Sequence, residues 1–244
     1  MSERDERGAS LVPPARVLLR LPVAIDVAGW AYPVEGLGPG PRVCVWVRGC
    51  ERRCPGCVSP ELWQRGESTR IAELAAELAA PLRRGAHLTI SGGEPLDQAR
   101  ELRTLIRTVR KLAGDIEVLI YTGYTMEQIT AGAARDPAAA RLLDEVDMVI
   151  DGAYEDDAGD ELRWRGSDNQ RMHLLSRRAQ CHEAESSQPW TGPRPLRVQT
   201  LCGSQYRIVG IPRRGDLVRI RAELEHRDLA AAAVEREDEE WPRP

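Results

Sequence analysis

Polar and apolar positions change their period several times along this chain. Val43-Cys44-Val45-Trp46-Val47 is a continuous apolar run with β-branched residues, the pattern of a strand buried on both faces. From Thr69 the spacing turns helical. Ile71, Leu74, Ala75 and Leu78 share one face, Ser68 or Thr69 is available as N-cap, and Gly85 ends the helix. Leu88-Thr89-Ile90 predicts a second strand. A longer helix then puts Leu102, Leu105, Ile106, Val109 and Leu112 on one face; Arg110 and Lys111 suit its last turn and Gly114 stops it. Residues 116–121 predict a third strand, 125–143 a helix, and 148–150 a fourth strand.

Beyond Tyr154 the periodicity fades. Glu155-Asp156-Asp157 and residues 180–195 read as surface loops. Residues 196–201 and 206–209 predict a hairpin around Cys202-Gly203-Ser204, and a last helix is expected over 216–234 before an acidic, disordered tail. The first two dozen residues, polar and then rich in Pro and Leu, predict a frayed start. The expected organisation is an N-terminal extension (1–35), a core (36–175) and a C-terminal elaboration (176–244). Alternating strands and helices predict a parallel α/β sheet with right-handed crossovers. Glycine- and cysteine-rich turns begin where the strands end, at Gly49, Ser91, Thr122 and Asp151. Such folds bind ligands at the carboxyl ends of their strands, so these turns should converge on one rim.

Composition narrows the function classes. A net charge of -4 gives no reason to expect sequence-independent nucleic-acid binding, which needs a basic face. No apolar stretch approaches the ~20 residues of a membrane span, and the start lacks a signal peptide's basic and apolar regions. Six cysteines are too few to staple 244 residues, and three fall within eight positions. That usage suggests thiolate ligands in a reducing cytosol, hence a cytoplasmic protein with neither nucleic-acid nor membrane partner.

Those three are Cys50, Cys54 and Cys57, in a C-x3-C-x2-C spacing. Three thiolates on one short loop can hold three corners of a 4Fe–4S cluster and leave the fourth iron for an external ligand. Gly56 allows a tight turn that brings backbone N–H groups near the cluster sulfurs, and Pro55 restricts the chain before it. Two other readings stay open at this point: a zinc site and unligated thiols. Structural zinc wants four ligands, usually as two pairs, and Cys181, His182 and Cys202 show no pair spacing. Ser91-Gly92-Gly93-Glu94 supplies a glycine turn where backbone can approach a ligand, with a carboxylate suited to an ammonium group. Cys44 reads as a small buried hydrophobe. Glu73 and Glu77, and Arg103, Arg107 and Arg110, read as solvated helix faces.

With both motifs in place the sequence resembles the radical S-adenosylmethionine (SAM) superfamily, and most of all the activating proteins of anaerobic ribonucleotide reductases and related glycyl-radical activases. Further segments fall in that family's order: Gly38-Pro39-Gly40-Pro41-Arg42, Ser59-Pro60-Glu61-Leu62-Trp63, Tyr121-Thr122-Gly123-Tyr124, Asp147 to Gly152, and Arg163-Trp164-Arg165-Gly166-Ser167-Asp168-Asn169-Gln170-Arg171. The resemblance covers residues 30–175.

It implies a partial (β/α) barrel of the radical SAM type with parallel strands, followed by a short C-terminal hairpin and helix. Cys50, Cys54 and Cys57 would be the catalytic and metal ligands of the 4Fe–4S cluster. SAM would chelate its open iron, with Gly92, Gly93 and Glu94 holding the methionine end, Gly56 and Val58 meeting adenine, and Thr122 and Asp151 as further cofactor contacts. Reductive cleavage of SAM would give a 5′-deoxyadenosyl radical that takes a hydrogen atom from a glycyl-radical enzyme or another protein or peptide. A reduced flavodoxin or ferredoxin-type protein would donate the electron, and residues 163–171 could grip a substrate loop. The chain departs from the family in two ways. Gly56 and Val58 replace the aromatic residue usual beside the third cysteine, and no second cysteine-rich insertion is present, which implies a single cluster. Competing functions are modification of a peptide or small metabolite by the same chemistry, and a non-enzymatic iron–sulfur electron carrier.

Overall fold

The computed structural model of the chain describes residues 23–200 and 206–226. Its centre is a mixed sheet of seven strands: β1 (Ala24–Val34), β2 (Arg42–Val47), β3 (Ser68–Arg70), β4 (His87–Gly92), β5 (Val118–Tyr121), β6 (Met148–Asp151) and β7 (Arg171–Leu174), in the order β3-β1-β2-β4-β5-β6-β7. Neighbours β2, β4, β5 and β6 run parallel, as their unbroken apolar sequences predict. The flanks run antiparallel: β1 against β2 and β3, and β7 against β6. The sheet stays open, ending at β3 and β7.

One face is covered by α1 (Ile71–Arg83), α2 (Ala99–Ala113) and α4 (Ala138–Leu143). Leu74, Leu78, Leu102, Leu105 and Ile106 pack there on Val43, Val45, Leu88, Ile90 and Ile120. The other face carries Cys44, Trp46, Leu119, Met148 and Ile150, covered by Leu37, Leu62, Trp164 and Val209. Fully burying side chains of this size is worth ~1.5–3 kcal/mol each, so the two apolar layers hold the sheet.

Three local expectations need correction. Residues 68–70 are strand, and α1 starts after Arg70 with no side-chain cap. The helix expected over 125–143 is two helices, α3 (Met126–Gly132) and α4, because Pro137 lacks the N–H a continuous helix needs. β1 occupies Ala24–Val34, the last third of what read as an N-terminal extension. At the C-terminal side, α5 (Glu183–Ser186) is a single turn, and β8 (Arg197–Thr200) and β9 (Tyr206–Val209) form the expected antiparallel hairpin. Helix α6 spans Asp216–His226, while its continuation, the tail, Cys202 and residues 1–22 lie outside the described residues.

The amino ends of the parallel strands are pinned by a buried ion pair that sequence reasoning did not single out. Arg42, with no exposed surface, donates to the Glu117 carboxylate at 3.0 Å, to Thr89 at 2.5 Å and to the Leu88 carbonyl at 2.7 Å. His182 meets the same Glu117 carboxylate at 3.1 Å.

Candidate iron–sulfur and SAM site

The cysteine loop leaves β2 at its carboxyl end and is tied down at both sides of Cys50. The N–H of Gly49 donates to the Leu62 carbonyl at 2.9 Å, and that of Cys50 to the Trp63 carbonyl at 3.0 Å. Gln98, buried at the start of α2, donates its amide to the carbonyls of Asp26 and Arg48, joining the loop to β1. Neither Gln98 nor Asp26 carries a motif, so nothing in the sequence marked them.

Cys50, Cys54 and Cys57 are all partly exposed, free thiols. Burial pushes the Cys50 thiol up, against backbone N–H groups of Arg52 and Arg53 that donate to its sulfur. Burial likewise raises Cys57, against hydrogen bonds from the Ser59 backbone and the Trp63 side chain. Donors aimed at sulfur are what a thiolate bound to iron needs, and they help set a cluster's potential. Among the described residues no three His, Cys, Asp or Glu side chains converge as the ligands of one metal ion. Cluster thiolates each take a different iron and therefore stand farther apart. Cys44 lies buried in β2, its thiol pushed up to about 12 by burial, and exposed Cys181 sits on a distant segment. The residues present therefore fit a cluster held by three thiolates.

The glycine turn after β4 is zipped to this loop by main-chain bonds. Gly93 N–H donates to the Val47 carbonyl and Glu94 N–H to the Gly49 carbonyl, both at 2.8 Å. A Cβ on Gly92 would lie 2.5 Å from the Val47 oxygen, and one on Gly93 would collide with the Gly49 carbonyl. Gly92 also has φ +105°, a conformation that side chains resist. Both glycines are thus required by the close approach of two backbones.

The Glu94 carboxylate is buried and turned inward. Its oxygens accept from the Leu96 N–H (2.9 Å), the Thr122 hydroxyl (2.7 Å) and the Gly123 N–H (2.8 Å). Burial nevertheless pushes its pKa above the usual carboxylate range. Glu94 and Thr122 thus come together, joining the ends of β4 and β5 beside the cysteine loop. Asp151 belongs to the same rim but is fully occupied: it accepts from the Met126 N–H at 2.8 Å and pairs with Arg171 at 2.6 Å. Burial acts to raise its pKa, and Arg171, the Met126 N–H and His173 together outweigh that and hold it low.

The loop after β6 also reaches the cysteines. Asp156 lies against Gly56, where an added Cβ would come within 2.6 Å of its carboxylate, and Tyr154 donates to Asp156 at 2.9 Å. Val58 remains half exposed. Arg52 stacks over the Tyr124 ring at 4.5 Å from its centroid, closing the site between the first and third turns. Residues 163–171 form a braced turn in which Gln170 accepts from the Gly166 and Ser167 N–H groups and donates to the Gly152 carbonyl. Arg103, Arg107 and Arg110, expected on a solvated edge, converge on Glu145, and Glu77 accepts from the Trp30 indole. His182 is engaged by Glu117, so the residues of a possible second metal site are not assembled among the described ones.

A family profile described as a 4Fe–4S single cluster domain matches residues 36–173, more than half of the chain. The chain belongs to this family. The chain is 34% identical over 149 residues to the anaerobic ribonucleoside-triphosphate reductase-activating protein of Enterobacteria phage T4, covering 58% of this chain and 89% of that protein. The Vibrio cholerae protein of the same name is 31% identical over 156 residues, 59% of this chain and 96% of its own. The pyruvate formate-lyase-activating enzyme of Listeria monocytogenes is 32% identical over 136 residues, 52% of each chain. These relatives bear out the radical SAM activase reading of the motifs, with a 4Fe–4S cluster and SAM as cofactors. No described helix is long and apolar enough to cross a membrane.

Proposed function

We propose that this chain activates an anaerobic ribonucleotide reductase or a similar glycyl-radical enzyme, and that Cys50, Cys54 and Cys57 hold the cluster on which that activity depends. The observation that carries the assignment is the main-chain zipper between Gly49 and the Gly92-Gly93-Glu94 turn. It brings the thiol loop and the glycine turn into one rigid rim, as a cofactor contacting both requires.

When bound, the cluster and SAM supply the electron transfer and radical chemistry. The protein's part is holding and excluding. N–H groups of Arg52, Arg53 and Ser59 support the cluster thiolates. Glu94 and Thr122 fix the height of the rim, and Gly92 and Gly93 offer backbone to the methionine end of SAM. Gly56 and Val58 meet its adenine, with Asp156 adjoining them. Asp151 acts through α3 and β7, as a positioning residue. The open sheet is read as a partial (β/α) barrel whose core runs over 36–175, and a flavodoxin or ferredoxin-type protein is the proposed electron donor.

The test is anaerobic reconstitution with iron and sulfide, then dithionite and SAM, with 5′-deoxyadenosine quantified. Product that vanishes in Cys54→Ala supports the reading. About four irons per chain with no SAM cleavage would reduce the protein to an electron carrier, and bound zinc without a cluster would overturn the assignment.

A further inference from the structure

The family match ends at residue 173, yet the chain continues through α5, the β8–β9 hairpin and α6. This additional part has two anchorages of different kinds. At one end it packs into the sheet. Val209 is buried with Ala28, Ala31, Cys44 and Trp46, and Arg197 donates to the carbonyls of Tyr32 and Pro33 at 3.2 Å. Pro195 seats on Gly36, where an added Cβ would be 2.9 Å from its ring.

At the other end it holds the loop that meets the cysteine loop at Gly56. Trp190 N–H donates to the Glu161 carbonyl at 2.7 Å, and the Arg163 guanidinium pairs with Glu185 at 2.6 Å while stacking over the Trp190 ring. Arg214 donates to the Ala158 carbonyl at 2.8 Å, its N–H reaches Asp160 at 3.4 Å, and Arg194 pairs with Asp160 at 3.5 Å. The gripped residues, 158–163, directly follow Asp156 on Gly56.

We propose that residues 183–200 and 206–214 form a clamp, anchored on the inner face of β1 and β2, that holds the 154–163 loop down over the cysteine loop. The loop is then a lid that the family core ties from below through Ser167 and Asp168, and that the added segment holds from its far side. This rests on the cysteine loop being the cofactor site. Arg214 is an exposed side chain with its guanidinium on one lid carbonyl, so it can be removed without disturbing the core.

The experiment is hydrogen–deuterium exchange on the full chain without cluster or SAM, comparing wild type, Arg214→Ala and Asp160→Ala. Loss of a lid hydrogen bond should speed exchange over 154–160 by about fivefold in each variant, with β4 and β5 unchanged. A control, Val218→Ala, alters exposed α6 surface and should leave the lid unaffected. Unchanged lid exchange in both variants would overturn the clamp, whatever the enzyme does. Faster exchange everywhere would show general destabilisation and would equally overturn it. A second readout is SAM affinity of the reconstituted protein by equilibrium binding. Wild type that binds no SAM would defeat the cofactor reading, while the exchange result would still decide the clamp.

Discussion

The N–H of Glu94 donates to the carbonyl of Gly49, 45 residues earlier, at 2.8 Å. The bond joins the residue before the first cysteine to the residue after the glycine turn, so neither loop can shift without the other.

Gly93→Ala should therefore damage iron binding without touching a ligand. Its new Cβ would strike the Gly49 carbonyl, which is backbone and cannot swing aside. The expected cost is roughly 1–3 kcal/mol of stability. Iron and sulfide content after reconstitution should fall well below that of wild type. Full iron content in a stable Gly93→Ala protein would sink the argument.

Arg42→Ala should unfold the chain more easily while leaving the rim's chemistry alone. It strips the buried Glu117 carboxylate of its guanidinium, a change that costs about 3–5 kcal/mol. Urea denaturation measures it. A cost near zero would mean that His182 and water replace the lost partner.

Acid should expose the Arg171 cluster. Arg171 holds Glu127 at about 2, and with the Met126 N–H and His173 it outweighs burial to keep Asp151 low. Carboxyls depressed in the folded state stabilise it above their unfolded pKa values, and that contribution disappears as pH falls through the folded ones. In Arg171→Met both carboxyls rise, so the acid-unfolding midpoint should move to higher pH. Circular dichroism against pH reads the shift; an unchanged or lower midpoint would contradict the pairing.

Thiol labelling of the folded, iron-free protein separates the cysteines. Cys44 is fully buried with its thiol pushed up to about 12, so it should resist alkylation at pH 8 while Cys50, Cys54, Cys57 and Cys181 react. Mass spectrometry of the peptides decides, and rapid modification of Cys44 would count against its burial.

Much of the core was legible because unbroken apolar strands and amphipathic helices alternate from Arg42 to Asp151, and their carboxyl ends carry the motifs. The flanks were not. In β1, register shifts around Gly29 and toward Val34 break the alternation that marks a strand. In β7 the four residues Arg171-Met172-His173-Leu174 are too few and too polar to signal one. The loop of Cys50, Cys54 and Cys57 and the glycine turn leave neighbouring strand ends and are joined by the main-chain bonds of Gly49, Gly93 and Glu94. The side-chain partners of Glu94 and Asp151 were invisible, because a carboxylate's choice between a ligand and a neighbouring N–H depends on distances sequence does not contain. Gln98 and Arg42 escaped for a related reason: a buried polar residue is recognisable only once its acceptors surround it.

The ties of Gly49, Cys50, Gly93 and Glu94 are all made by peptide groups of the chain itself, and none passes through a thiol. The rim proposed to receive the cofactors is therefore held together by the folded backbone itself. A rim built this way should keep its shape when oxygen strips the proposed cluster and should take iron and sulfide again in place, where a domain organised by its metal would have to fold again from the beginning.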